Sequence, residues 1–142
     1  MKKLLVLGAA LVAAAGISVA IATASATHDG QLHVTKECSE YSGKPGAFCT
    51  ITSSSLKAIK AGSKVIYFQA AAGDTFESDL AVVVGPGDYA LGHVTLDATG
   101  SGVVTISGGA GDFRDFHAKV RVATTDGLNF TWDGRYSFGH DH

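Results

Sequence analysis

The chain has 142 residues, a formal net charge of −2, and 18 glycines against only two prolines. The charge argues against a nucleic-acid-binding protein, which usually carries a basic patch or stripe. Many glycines and few prolines suit tight turns between strands, because proline lacks the N–H that a sheet ladder requires.

The first 26 residues have the pattern of a secretory signal peptide. Lys2-Lys3 forms a short positive segment, residues 4–22 are apolar, and Ala24-Ser25-Ala26 is a small-residue cleavage site. We therefore predict a signal peptide at 1–26 and a mature domain at 27–142, secreted to an extracellular or periplasmic space and without membrane contact after cleavage. An uncleaved anchor is the alternative, since the apolar run is long enough to span a bilayer.

Cleavage also removes two lysines. Lys plus Arg falls from 11 to 9 against 13 acidic residues, so the mature chain has a formal charge of −4. No nucleic-acid partner is predicted.

Two cysteines, Cys38 and Cys49, lie in the predicted mature chain. In an exported protein this pair predicts one disulfide bond, worth roughly 2–3 kcal/mol by loop-entropy estimates. A metal or redox site is the rival interpretation. The sequence has no C-x-x-C motif and no histidine close to either cysteine, so the structural bridge is favoured.

The mature chain predicts about eight short strands and almost no helical periodicity. The predicted strands cover residues 30–36, 47–52, 64–72, 77–84, 89–96, 103–107, 113–124 and 128–138. Residues 56–61 are ambiguous between a helical turn and a strand. The apolar run at 80–84 predicts burial on both faces of its strand.

The C-terminal strands have the clearest alternation of apolar and polar residues. Arg114, Phe116 and every second residue after them share one face of the 113–124 strand. In the 128–138 strand, every second residue from Leu128 onward forms a mostly aromatic row on one face. Asp126-Gly127 between two such runs predicts a hairpin turn, and Gly134 inside the aromatic row predicts a bend or a close backbone approach. The fold class is therefore all-β, a single antiparallel barrel of about eight strands, with a β-sandwich as the alternative.

One segment resembles a known family. Ile106-Ser107-Gly108-Gly109-Ala110-Gly111-Asp112-Phe113-Arg114 is similar to the G-G-x-G-x-F-R hairpin of dirigent proteins and the wider allene oxide cyclase barrel group. The closing 132–138 strand is similar to the last strand of small exported bacterial proteins with that barrel. The resemblance covers residues 103–138 and departs at 115–118, where dirigent proteins usually carry a glycine. It implies an eight-stranded barrel with an apolar cavity, often oligomeric, whose enzyme members guide cyclisation or coupling of hydrophobic molecules.

The histidines do not predict a metal site. Six occur in the chain: His28, His33, His93, His117, His140 and His142. The terminal pair could bind a transition metal weakly, but a solvated tail is favoured. His93 and His117 are expected to face solvent, and no cofactor is predicted.

Candidate ligand-binding residues come from the aromatic rows and the glycine-rich hairpin. They are Tyr67, Gln69, Arg114, Phe130, Trp132 and Tyr136. A packed aromatic core is the alternative for the rings, and a surface ion-pair cluster is the alternative for Asp112, Arg114 and Asp115. Three functions stay open: binding of a small apolar molecule in or at the barrel mouth, an enzyme of the dirigent or allene oxide cyclase kind, and a filled structural barrel. The sequence names no catalytic residue, and a homo-oligomer is also left open.

Overall fold

The computed structural model describes residues 28–139. Within it, Asp29–Phe138 form one compact unit. The predicted signal peptide and the terminal His140 and His142 lie outside the described residues. Within residues 28–139 no helix is long and apolar enough to cross a membrane.

The described chain forms eight strands and one short 3-10 helix at Gly111–Phe113. The strands are β1 (His28–Glu37), β2 (Phe48–Ser54), β3 (Lys64–Tyr67), β4 (Phe76–Gly85), β5 (Asp88–Leu96), β6 (Gly102–Ala110), β7 (Phe116–Thr124) and β8 (Asn129–Phe138). Consecutive strands pair antiparallel, and the sheet closes into a barrel. The predicted eight-stranded barrel is confirmed, and the sandwich alternative is wrong.

The barrel interior is filled largely by side chains from alternate strand positions. The largest fully buried members are Trp132, Phe113, Phe116, Leu32, Ile51, Ile59, Leu80 and Ile106. Strand β4 is buried on both faces at Leu80–Val82, as its apolar run predicts, because Leu80, Ala81 and Val82 are all buried. The interior of an eight-stranded barrel is narrow enough for side chains alone to fill it.

Strand β3 is shorter than its alternating pattern predicts, ending at Tyr67 instead of residue 72. The N–H of Phe68 still donates to the backbone oxygen of Asp79 at 3.0 Å, and side chains replace the backbone ladder beyond it. The N–H of Gln69 donates to Ser78 Oγ at 3.1 Å, and the N–H of Asp79 donates to Gln69 Oε1 at 2.6 Å. The ambiguous 56–61 segment forms turns, neither helix nor strand.

The C-terminal hairpin forms at the predicted turn. Asp126 Oδ1 accepts hydrogen bonds from the N–H groups of Leu128 and Asn129, both at 2.8 Å, and Gly127 has φ of +73°. Gly134 is a close approach as predicted, because a Cβ there would lie 2.7 Å from Val120 Cα.

The glycine-rich segment continues a strand further than its pattern predicts. Strand β6 extends to Ala110, and the following strand begins at Phe116, because residues 111–113 turn through the 3-10 helix. Arg114 caps that helix and so lies outside the strand whose apolar face it was predicted to share.

The two ends of the barrel differ. We call the packed end the one where β7 begins at Phe116 and β8 ends at Phe138. There the Phe116 ring centroid lies 4.8 Å from that of Phe138 and 5.4 Å from that of Phe113. We call the other the cavity end, where β1 ends at Glu37 and β8 begins at Asn129.

Candidate functional site

A cavity of about 370 Å³ opens at the cavity end. It lies among the loops and turns that follow β1, β3, β5 and β7. Its walls are mostly apolar or aromatic, and they include both cysteines of the disulfide. The residues that line it include Lys36, Tyr41, Tyr67, Ala71, Ala72, Phe76, Leu96, Ala98 and Phe130.

The floor of this cavity contains a buried lysine. Strand alternation places Lys36 on the same inward face as Leu32 and Val34, and its side chain is only 4% exposed. The ladder between β1 and β2 shifts register at this point, between Thr35 and Lys36, so that Thr52 is the extra residue on β2. Bulges of this kind are frequent beside functional sites.

Aromatic rings and the disulfide surround the Lys36 amine. Its Nζ lies 4.3 Å from the ring centroid of Phe130, 5.6 Å from that of Tyr67 and 5.8 Å from that of Trp132. The same atom lies 3.6 Å from the Sγ of Cys38 and 4.0 Å from the Sγ of Cys49. Within residues 28–139, Lys36 makes no ion pair with a carboxylate.

This environment changes the acid–base properties of the site. Burial lowers the pKa of the Lys36 amine from 10.5 to about 7, because the charged form loses its hydration without gaining a counter-ion. Burial, with a smaller contribution from Tyr41, raises the pKa of the Tyr67 hydroxyl above its usual range, and burial also raises the pKa of Tyr41. Near pH 7 the amine is therefore divided between its neutral and charged forms, beside two neutral phenols.

The disulfide fixes one wall of the cavity. Cys38 and Cys49 are bonded, as predicted, and their Cα atoms are 4.3 Å apart. The loop that the bond closes carries Tyr41, whose ring packs edge-on against Tyr67 at 5.6 Å and Phe76 at 6.1 Å. Two buried polar atoms near this wall, Tyr41 Oη and Trp132 Nε1, have no hydrogen-bond partner among the described residues.

The six predicted ligand-binding residues do not form one site. Tyr67 and Phe130 line the cavity, and Trp132 lies fully buried beneath it within 5.8 Å of the Lys36 amine. Gln69 is exposed, and its side-chain oxygen accepts a hydrogen bond from the backbone N–H of Asp79 in β4.

Arg114 and Tyr136 lie at the packed end. Arg114 is exposed, whereas Tyr136 is half-buried with its ring centroid 6.2 Å from that of Phe116. Asp112 is exposed beside Arg114, and its N–H donates to Asp88 Oδ1 at 2.8 Å. The predicted set is therefore divided between the two ends of the barrel.

Sequence reasoning missed Lys36, the most unusual ionisable residue of the site. The signal was present, since period-two alternation in β1 places this lysine on the face of Leu32 and Val34. A lysine at an inward position of a predicted barrel strand is either at the mouth or buried. The register shift and the disulfide wall could not be read from the pattern.

The four histidines of the described part of the chain, His28, His33, His93 and His117, are exposed. His93 is exposed, with Nδ1 2.9 Å from Asp79 Oδ1 and Nε2 3.0 Å from Glu77 Oε2. The hydrogen bond with Asp79, followed by that with Glu77, raises the pKa of His93. His33 is hydrogen-bonded to Asp133 across β1 and β8. Among residues 28–139, no group of three histidine, cysteine or acidic side chains is arranged to hold a metal ion.

A second depression, of about 420 Å³, lies on the outer wall beside His93. Outward side chains of β4 to β6 and the exposed Phe68 surround it. It does not reach the barrel interior or the buried lysine, so the cavity at the disulfide wall is the better candidate site.

No protein family model, no curated protein and no solved structure matches this chain.

Proposed function

We propose that this protein is an exported barrel that binds a small apolar molecule in the cavity at its disulfide-bearing end. The observation that carries the proposal is the combination of a cavity of about 370 Å³, whose walls are mostly apolar but include Asp74 and Asp97, with a buried amine at its floor. Small-molecule sites are typically about 300–1,000 Å³, mostly apolar, with a few polar groups that orient the ligand.

The filled interior limits where a ligand can bind. Trp132, Phe116 and Leu32 are fully buried in the middle of the barrel and at the packed end. The ligand therefore occupies the mouth, between the aromatic wall of Tyr41, Tyr67 and Phe76 and the opposing Phe130.

Export is part of the proposal. The pattern of residues 1–26 is that of a signal peptide, and the Cys38–Cys49 disulfide is compatible with an oxidising compartment. Both point to a protein that meets its ligand outside the cytoplasm.

The cyclase or coupling enzyme suggested by the family resemblance has less support. The motif residues that carry the resemblance, Asp112 and Arg114, are exposed at the packed end. They lie at the opposite end of the barrel from the cavity, so the hairpin that resembles dirigent proteins does not contribute to this site.

Titration with N-phenyl-1-naphthylamine, an uncharged apolar dye, tests the proposal. We expect saturable fluorescence enhancement with one site per oxidised chain. Ala98→Phe, at a residue that lines the cavity, is expected to weaken binding at least about tenfold by filling it. Ala123→Phe, on the exposed outer face of β7, is the matched control and is expected to bind as the unmodified protein does.

Two results would overturn the proposal. One is an enhancement that never saturates, and the other is equal affinity in both variants. Either would favour a filled structural barrel.

A further inference from the structure

We propose that the Lys36 amine captures an apolar aldehyde in the cavity as a reversible imine. This rests on the proposed ligand site and names the class of its ligand. The inference comes from the position of the amine: it lines the cavity, it is nine-tenths buried, and it is packed among three aromatic rings and a disulfide.

Burial favours the neutral form of the Lys36 amine, against the rings of Phe130, Tyr67 and Trp132, which lie within cation–π distance of Nζ and favour the ammonium. Besides Lys36, the cavity lining carries four titratable groups, the phenols of Tyr41 and Tyr67 and the carboxylates of Asp74 and Asp97. Neither carboxylate forms an ion pair with the amine within the described residues. A buried ammonium without a counter-ion is costly and loses its proton, and burial lowers the Lys36 pKa to about 7 accordingly.

A neutral amine is a nucleophile, whereas an ammonium is not. The other lysines of residues 28–139 are exposed and keep their hydration: Lys44, Lys57, Lys60, Lys64 and Lys119. Selectivity for Lys36 therefore follows from its burial inside the cavity, which the five exposed lysines do not share.

The reaction needs no oxidant or metal. The Lys36 nitrogen attacks the carbonyl carbon and forms an N–C bond. The carbonyl oxygen then leaves as water with the two protons that the nitrogen loses, and a C=N bond remains. Tyr41 lines the same cavity, and its buried Oη has no hydrogen-bond partner among the described residues. Hydrolysis reverses the capture.

An aldehyde suits the cavity better than a carboxylate does. An anion would require the protonated lysine and several hydrogen-bond donors, and the rings and sulfurs around Nζ offer apolar surfaces instead. An uncharged aldehyde enters without burying a charge.

Reductive trapping tests the inference. The oxidised protein is treated at neutral pH with benzaldehyde and sodium cyanoborohydride, which reduces the imine to a stable benzyl amine, and the modified lysines are located by peptide mass spectrometry. We expect one benzyl group per chain on Lys36, at least about tenfold faster than on any exposed lysine. N-phenyl-1-naphthylamine should protect Lys36 when it occupies the cavity.

Two controls make the result decisive. Lys36→Met, checked for folding by circular dichroism, should lose the fast site while the slow surface labelling remains. The unmodified chain unfolded in urea should label all lysines at similar rates.

Saturable dye binding without preferential labelling of Lys36 would overturn the aldehyde inference and leave the ligand site intact. Failure of dye binding would instead remove the proposed function. Saturable binding of benzoate that Lys36→Met weakens at least about tenfold would also overturn the inference, because it would assign the ammonium an anion-binding role.

Discussion

The two ends of this barrel solve the same packing problem differently. At the packed end, inward positions carry Phe116 and Phe138, which pack against each other and against Phe113 on the 3-10 helix. At the cavity end, the inward position of β1 carries Lys36, and the rings around it leave a cavity of about 370 Å³.

The difference shows that one strand pattern can build both a core and a site. Strand β8 contributes Phe138 to the packed end and Phe130 to the cavity wall within the same alternating row. At the cavity end the disulfide loop and the buried amine of Lys36 take the place of further phenylalanines.

The largest expected effect comes from breaking the packed end. Phe116→Ala should lower the free energy of unfolding by about 3–5 kcal/mol, because it leaves a void beside Phe113 and Phe138. Chemical denaturation measures this effect. Phe68→Ala is the control, since Phe68 is 44% exposed, and we expect a change within about 0.5 kcal/mol. If both variants lost the same free energy of unfolding, the aromatic packing around Phe116 would not be a tight core.

Lys36 should make stability depend on pH. Its pKa is about 7 in the folded protein and 10.5 when hydrated, so between these values the unfolded state binds more protons. Stability should therefore rise with pH by as much as about 1.4 kcal/mol per unit through this window, and lose that gain as pH falls toward 7. Denaturation of the unmodified protein and Lys36→Met, compared at each pH, isolates the contribution.

The comparison should stay below about pH 10, where unfolded tyrosines begin to ionise. The raised pKa values of Tyr41 and Tyr67 give the opposite sign there, because their protons are retained in the folded state. Lys119→Met, on the exposed face of β7, should leave the slope unchanged. If the free energy of unfolding rose equally with pH in Lys36→Met and in the unmodified protein, Lys36 would not be desolvated.

Reducing the disulfide should affect the cavity end specifically. Loss of the Cys38–Cys49 bond, whose cysteines are 11 residues apart, should cost about 2–3 kcal/mol and weaken dye binding by loosening the loop that carries Tyr41. Denaturation and dye titration with and without reductant measure both. The Cys38→Ser/Cys49→Ser variant should not respond to reductant. Unchanged dye binding by the unmodified protein after reduction would show that the cavity does not depend on the disulfide bond.

A smaller effect is expected at the close approach on β8. Gly134→Ala should destabilise the protein by about 1–3 kcal/mol, because a Cβ would overlap the β7 backbone near Lys119 and Val120. Gly85→Ala is the matched control, since a Cβ there meets nothing within 4 Å. Thermal melts of the two variants compare them directly, and a Gly134→Ala protein as stable as Gly85→Ala would show that the strands can separate.

The fold could be predicted because its signals are local and repeated. Alternation predicts inward and outward positions, and the Asp126-Gly127 turn predicts a hairpin without tertiary information. Strand β3 was predicted five residues too long, since the replacement of its ladder by Ser78 Oγ and Gln69 Oε1 depends on residues distant in sequence.

The site was less predictable. Aromatic rows predicted Tyr67, Phe130 and Trp132, but alternation does not tell which end of a strand lies at an open mouth. Tyr136 and Arg114 were therefore grouped with residues at the other end of the barrel. The low pKa of Lys36 results from burial by residues distant in sequence. The pattern of β1 alone does not show which residues these are.

Closure of the sheet also constrains how copies of this chain could associate. Within residues 28–139 each strand of the closed barrel has a neighbour on both sides, so a second copy finds no free outer strand to extend by strand addition. A homo-oligomer formed by the described surface would join through outward side chains, among which Phe68 and Leu91 are large, apolar and exposed. Such an assembly would leave the hydrogen-bonded ladders of each barrel intact.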